Sequence, residues 1–110
     1  MSVSVHAIDA SLGLPAANLR VRLRTKTDIV WEEVANGLTD HLGKLTHWHP
    51  AGLPRGTYQL VFDLDGYFSE LGAAPLYPRA IVEFRLSDPS SDLHLPLLIT
   101  PTSCLTYRGT

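Results

Sequence analysis

The sequence has a single cysteine, Cys104, so no internal disulfide can hold the fold together. It also lacks an apolar run of about 18 residues, the length that a membrane-spanning helix requires. The first residues show no basic segment followed by an apolar one, so we expect no secretory signal. These absences predict a soluble, cytoplasmic protein whose fold depends on its apolar core.

An excess of positive charge is missing as well. The chain has 9 Lys and Arg against 11 Asp and Glu, which gives a net charge of −2. Binding to nucleic acid or to an anionic membrane needs a basic face, so we expect neither partner. Apolar residues make up 45% and charged residues 18%, a balance typical of a globular chain. The length of 110 residues predicts one domain, residues 1–110.

Long helical patterns are also absent, because eight prolines and eight glycines interrupt the chain. Between them lie short runs in which apolar and polar residues alternate, as they do in half-buried β-strands. In one such run, Leu19, Val21 and Leu23 alternate with three arginines. We predict strands over 3–9, 19–25, 28–34, 43–49, 56–64, 79–86, 92–100 and 103–109, a turn over 35–37 and one short helix over 66–72. Pro96 places its strand near an edge or a bulge. Short, regularly spaced strands indicate a β-sandwich.

Two of the five histidines occupy matching positions on predicted strands. His6 shares one face of its strand with Ile8, and His94 shares one face of its strand with Leu98. In both strands the opposite face is more apolar and is the expected core side. A single outward histidine is most often an ordinary surface residue. Two of them beside aliphatic residues suggest an oligomer interface or a pocket.

His47 and His49 are two residues apart on a predicted strand, which would put both imidazoles on one face. No cysteine or carboxylate accompanies them at ligand spacing, so we predict no metal site and favour a solvated strand edge. No local signature marks Cys104 as a nucleophile, and neither a P-loop nor a Gly-x-Ser-x-Gly elbow is present. The residue patterns alone therefore predict a β-sandwich and name no reaction.

Four segments carry a more specific resemblance: HAIDASLGLPA, GTYQLVFDLDGYF, YPRAIVEF and LHLPLLITPTSCLTYRGT. In this order they resemble the 5-hydroxyisourate hydrolases, the enzymatic relatives of transthyretin, over essentially the whole chain. The resemblance implies an all-β, transthyretin-like β-sandwich of two four-stranded sheets with one short helix. It also implies hydrolysis of 5-hydroxyisourate in urate degradation without a cofactor, in a homotetramer with active sites at the interface between dimers.

The resemblance also assigns roles to individual residues. His6 and His94 match the two catalytic histidines of the family. Arg108 matches the arginine of the family's terminal tetrapeptide and joins the expected catalytic set. Tyr107 and Gly109 match the tyrosine and glycine of that tetrapeptide and are expected to bind substrate. The tail is therefore expected to pack into the site and not to fray.

Four residues depart from the family pattern. Lys44 stands where the family commonly has an arginine, which keeps the charge and loses the planar guanidinium fork. Thr110 replaces the usual serine and keeps its hydroxyl. Cys104 and Leu105 replace polar residues near the expected site. We include Lys44 and Thr110 in the catalytic set, and Cys104 and Leu105 among the substrate-binding residues.

In the mechanism that the resemblance implies, His6 and His94 orient and deprotonate a water molecule, and the sequence does not say which is the base. Lys44 and Arg108 would hold the anionic ring and the developing oxyanion, while Thr110 positions water or substrate. Two alternatives stay open, since one fold hosts many functions. One is a diverged enzyme that acts on another small heterocycle in specialised metabolism. The other is a non-catalytic protein that binds a small ligand.

Overall fold

A computed structural model of the chain describes residues 2–88 and 90–110. In this part of the chain, nine strands form two sheets around one apolar core, and one helix follows the sixth strand. The elements are β1 (Val3–Asp9), β2 (Leu14–Pro15), β3 (Arg20–Thr27), β4 (Val30–Leu38), β5 (Lys44–Leu45), β6 (Gly56–Asp63), α1 (Leu64–Glu70), β7 (Arg79–Leu86), β8 (Leu93–Thr100) and β9 (Ser103–Thr106). The predicted all-β sandwich with one short helix is confirmed.

The first sheet, which we name the histidine sheet, has the order β2-β1-β8-β9 and carries His6 and His94. β1 and β8 run parallel, whereas β9 returns antiparallel to β8. This sheet has five strands instead of the predicted four, because the two-residue strands β2 and β5 both pair with β1. The second sheet has the order β4-β3-β6-β7 with antiparallel neighbours, and we name it the arginine sheet for the arginines of β3.

The core lies between the two sheets, and the predicted inward faces are confirmed. Leu19, Val21 and Leu23 are fully buried, and the alternate residues of β6 pack against them. The largest fully buried side chains include Tyr58, Phe62, Phe68, Leu60, Leu64 and Ile99. Complete burial of a side chain of this size contributes roughly 1.5–3 kcal/mol, so this cluster is the main stabilising feature.

Helix α1 begins directly after β6, two residues earlier than predicted. Asp63 caps it, because its Oδ1 accepts a hydrogen bond from the N–H of Gly66 at 3.0 Å. Gly72, just beyond the helix, has a φ of +73°, a left-handed conformation that favours glycine. α1 has seven residues, and no helix in the described ranges has the length and apolar character needed to cross a membrane.

Several local predictions were wrong, and two of them concern β4 and β8. Residues 35–37 form no turn but continue β4, whose ladder with β3 contains a register shift beside Leu23. Pro96 lies in β8, which is an inner strand and not an edge. The ladder between β8 and β9 ends at the pair of Leu97 and Thr106. Pro96 lies just beyond this pair, where β8 has no ladder bond to β9 that a proline would remove.

Candidate active site

The two histidines lie on the outward face of the histidine sheet. In the parallel pairing of β1 with β8, His94 is opposite Ser4 and Pro96 is opposite His6. His6 and His94 are therefore on neighbouring strands, offset by two residues. The residues that flank each histidine along its strand are mostly buried in the core. The predicted outward position of both histidines is confirmed.

Lys44 adjoins His6 on the other side of β1. The pairing of β5 with β1 places the two residues directly opposite each other. The Nε2 atom of His6 lies 3.1 Å from the carbonyl oxygen of Leu42. A carbonyl oxygen only accepts hydrogen bonds, so in this contact Nε2 carries the hydrogen. The Nδ1 atom of a neutral His6 then has the lone pair that a general base needs.

A tight turn before β5 positions Lys44. The Oδ1 atom of Asp40 accepts hydrogen bonds from the N–H groups of Lys44 and Leu42, each at 2.9 Å. The Lys44 bond is the main reason that the pKa of the Asp40 carboxyl lies below 3.8. Gly43 has a φ of +78°, and its carbonyl accepts the N–H of Ala7 at 2.7 Å. A Cβ atom on residue 43 would overlap the carbonyl oxygen of Ala7, so the turn requires glycine here.

His94 is held from two directions. Its Nδ1 atom lies 2.8 Å from the hydroxyl oxygen of Ser4, and its carbonyl oxygen accepts the N–H of Gly109 at 2.8 Å. The Nε2 atom is then the ring nitrogen that remains for a substrate or a water molecule. The sequence reasoning missed Ser4. The signal was present, because Ser4 precedes His6 by two residues and so shares its outward face.

The C-terminal tail runs along β8. Thr106, the last residue of β9, donates its hydroxyl hydrogen to the carbonyl oxygen of Pro96 at 2.7 Å. The bond from Gly109 to His94 continues this antiparallel path beyond the end of β9. A Cβ atom on residue 109 would lie 2.8 Å from Cδ2 of His94, so Gly109 is beside the ring of that histidine. The tail therefore lies against His94.

Within one chain, Arg108 and Cys104 have surroundings of their own, and their predicted roles stay predictions for a site between dimers. Arg108 lines a separate cavity of about 120 Å³ with Arg85 and Asp88. Cys104 pairs with the buried Ile99, so its side chain lies on the core side of β9 and not on the outward face. Burial also raises the pKa of the Cys104 thiol, which disfavours the nucleophilic thiolate. Strand alternation explains the placement of Cys104 and can be read from the sequence.

An aliphatic row borders the histidines on the same face. Leu105 pairs with Leu98, and Leu98 is in register with Ile8 on β1. Leu105 is 57% exposed and Tyr107 is 54% exposed, so neither is covered within the chain. Thr110 is exposed at the end of the tail. The site thus combines two imidazoles, one ammonium group and an apolar border.

The strand predicted over 43–49 is limited to β5, so His47 and His49 do not share the face of a strand. Residues 47–49 lie outside the strands, and His47 has a φ of +52°. His49 accepts the N–H of Val3 at Nε2, at 2.9 Å, and its Nδ1 lies 2.8 Å from the carbonyl oxygen of Pro50. Trp48 donates to the carbonyl of Val3 at 2.8 Å, so this loop is anchored on β1. Among the described residues, no three His, Cys, Asp or Glu side chains are grouped to hold a metal ion.

Comparison with solved structures defines the class of fold. The 5-hydroxyisourate hydrolase of Klebsiella pneumoniae superposes with a TM-score of 0.86 at 32% sequence identity, over 98% of both chains. Transthyretin from Sparus aurata superposes with a TM-score of 0.91 at 29% identity, over 97% of this chain and 95% of that one. The fold is therefore a transthyretin-like β-sandwich.

Sequence similarity identifies the family of this chain more specifically than the fold does. Residues 3–109 match the HIUase/Transthyretin family, and the chain belongs to this family. The 5-hydroxyisourate hydrolase of Mus musculus is 35% identical, over 97% of this chain and 93% of the relative. That of Deinococcus radiodurans is 33% identical, over 97% of this chain and 94% of the relative.

Proposed function

We propose that this protein hydrolyses 5-hydroxyisourate, the product of urate oxidation, and opens its six-membered ring in purine catabolism. The observation that carries the proposal is the pair of outward histidines, His6 and His94, held beside Lys44 and the C-terminal tail. Relatives that carry the name of this activity align over almost the whole chain. A site with bases and a cation, on a scaffold shared with those relatives, supports a hydrolase.

The proposed reaction is an attack of water on a ring carbonyl carbon. His6 accepts a proton from the water at Nδ1, since its Nε2–H is committed to the carbonyl of Leu42. The ammonium group of Lys44 stabilises the negative charge that develops on the attacked carbonyl oxygen. The carbon–nitrogen bond then breaks, and the ring nitrogen receives a proton from His94 in its protonated form; transfer of the water proton from His6 to His94 through solvent restores both residues. No cofactor takes part in this scheme.

The substrate contacts form the second part of the proposal. Tyr107, Gly109 and Thr110 close the site from the tail, and Leu105 contributes an apolar wall. Arg108 remains part of the proposed catalytic set and Cys104 of the proposed binding residues, for a site that forms between dimers. This arrangement suits a small, flat, anionic ring with one polar edge.

A homotetramer with active sites at the interface between dimers is also part of the proposal. The partly exposed row of Ile8, Leu98 and Leu105 supports it, because an apolar sheet face beside a site favours a covering partner. Nucleic acid and membranes are not proposed as partners, given the net charge of −2. The single cysteine is compatible with a cytoplasmic location, which we propose as well.

A direct assay tests the function. Urate oxidase generates 5-hydroxyisourate in the cuvette, and the decay of its near-ultraviolet absorbance is followed with and without the protein. We expect a strong acceleration of the decay. It should fall by about 100-fold or more in His6→Ala and in His94→Ala, which is the usual loss of rate when a general acid or base is removed. His47→Asn is the matched control, because His47 lies outside the site and asparagine tolerates its positive φ.

Two results would overturn the proposal. The first is a wild-type protein that is folded by circular dichroism but does not accelerate the decay, which would direct the search to another small heterocycle. The second is an acceleration that His6→Ala and His94→Ala retain in full, which would place the reaction elsewhere on the molecule.

A further inference from the structure

The outer face of the arginine sheet carries a groove of about 320 Å³, on the opposite side of the sandwich from the histidines. Four of the nine Lys and Arg residues of the chain line it: Arg20, Arg22, Arg24 and Arg79. The concentration of positive charge is notable in a chain whose net charge is −2. The hydrolase function assigns no role to these arginines.

Three of the arginines are held at a regular spacing. Arg20, Arg22 and Arg24 alternate along β3 with the buried Val21 and Leu23, so all three point to the outer face. The rise of a β-strand spaces them by about 6.6 Å, so they span roughly 13 Å. A rigid strand in the middle of its sheet thus presents three guanidinium groups in a row.

Most of this positive charge is available to a ligand. Arg22 forms the only ion pair among the described residues, with Nε 3.6 Å from Oε1 of Glu33, and its side chain stays 47% exposed. Exposed pairs of this kind are weak and are easily displaced. Arg20 donates to Oδ1 of Asn36 at 2.6 Å, a neutral partner. Within residues 2–88 and 90–110, no carboxylate lies at ion-pair distance from Arg24 or Arg79.

Two carboxylates and an apolar side chain complete the lining of the groove. Asp63 and Asp65 belong to it where α1 begins, so the lining carries a formal charge of +2. The N–H of Asp65 donates to the carbonyl of Pro78 at 2.9 Å, which joins two residues of the lining. Asp63 is already engaged as the cap of α1. Val61, only 8% exposed, lies at the bottom of the groove.

We propose that this groove binds a small polyanion with two or more linked phosphate groups. The guanidinium fork matches pairs of phosphate oxygens, and several forks in a row match linked phosphates better than a single one. The three arginines of β3 span only roughly 13 Å, which suits a short polyanion better than an extended acidic peptide. Because the groove lies on the other sheet from His6 and His94, this site is independent of the proposed hydrolase activity.

Titration calorimetry with inorganic tripolyphosphate tests the site. We expect the wild-type protein to bind tripolyphosphate at least tenfold more tightly than orthophosphate. Arg22→Ala and Arg24→Ala should each weaken binding by about tenfold, the effect of one lost charge-assisted contact. Lys26→Ala is the matched control: Lys26 follows Arg24 by two residues on β3, lies outside the groove and is 5.9 Å from the ring centre of Trp31. It should change the affinity less than twofold.

Three outcomes would overturn the proposal. Equal weakening by Lys26→Ala and Arg24→Ala would mean that only the general charge of the strand matters. Loss of binding in Lys44→Ala, with Arg24→Ala unchanged, would place the anion at the histidine site. Tighter binding of a hexaglutamate peptide than of tripolyphosphate would identify an acidic peptide as the ligand. Circular dichroism of each variant distinguishes these outcomes from unfolding. In the hydrolase assay, we expect Arg22→Ala and Arg24→Ala to have wild-type rates.

Discussion

The backbone N–H of Gly109 donates to the carbonyl oxygen of His94 at 2.8 Å, and this bond brings the last residues of the chain against the histidine ring. A Cβ atom on residue 109 would lie only 2.8 Å from Cδ2 of His94 and 3.1 Å from the ring of Pro96. Cβ atoms in proteins essentially never approach another atom this closely. The absence of a side chain at Gly109 therefore leaves the space that the His94 ring occupies.

We expect Gly109→Ala to displace the His94 ring and to lower kcat by about 100-fold, the loss typical of a 1 Å misplacement of a catalytic group. The free energy of unfolding should change little, because Gly109 follows the last strand. Steady-state kinetics and urea denaturation measure the two effects. Gly56→Ala is the control, since its added Cβ would meet only the Tyr58 ring, at an ordinary 3.9 Å. Wild-type kcat in Gly109→Ala would show that the ring does not depend on this contact.

Ser4 is expected to orient His94 as a positioning residue. Ser4→Ala removes the hydroxyl 2.8 Å from Nδ1, and we expect kcat to fall by about tenfold with KM unchanged, the effect of one hydrogen bond on the transition state. Ser4→Thr keeps the hydroxyl and should restore most of the rate. Kinetics of the two variants, measured side by side, test this role. If Ser4→Ala raised KM and left kcat unchanged, the hydroxyl would contact substrate instead of holding the imidazole.

Asp40 should make the turn that carries Lys44 sensitive to acid. The bonds from Lys44 and Leu42 depress the pKa of Asp40 in the folded protein, so its contribution to stability is present above 3.8 and is lost as the pH falls through the lower folded pKa. Asp40→Asn keeps an acceptor oxygen and removes the charge. We therefore expect wild type to be more stable than Asp40→Asn at neutral pH, with the difference disappearing below 3.8.

Urea denaturation of both proteins over a series of pH values measures this difference. The comparison with Asp40→Asn matters because Asp88 also has a lowered pKa, caused first by the side-chain hydrogen bond from Ser90. Asp88 is the same in both proteins, so its effect cancels. A stability difference that persisted unchanged at low pH would show that the charge of Asp40 does not support the turn.

Alternation along the strands made much of this molecule predictable from its sequence. It identified the buried face of β1 and the outward position of both histidines. The pairing of Lys44 with His6 could not be predicted from alternation. It depends on a turn that requires glycine at position 43 and on a strand of only two residues. The contact of Ser4 with His94 depends on the parallel register of strands that are distant in sequence. A single strand pattern contains no information about such a register.

Removal of residues 107–110 tests the proposed role of the tail. The truncated chain ends at Thr106, which still completes β9 and can still donate to the carbonyl of Pro96. We therefore expect the fold and the oligomeric state to be largely retained, while turnover is abolished because Gly109 no longer packs against His94. Circular dichroism and analytical ultracentrifugation check the first expectation, and the 5-hydroxyisourate assay checks the second. A folded, truncated protein with full activity would remove the tail from the active site.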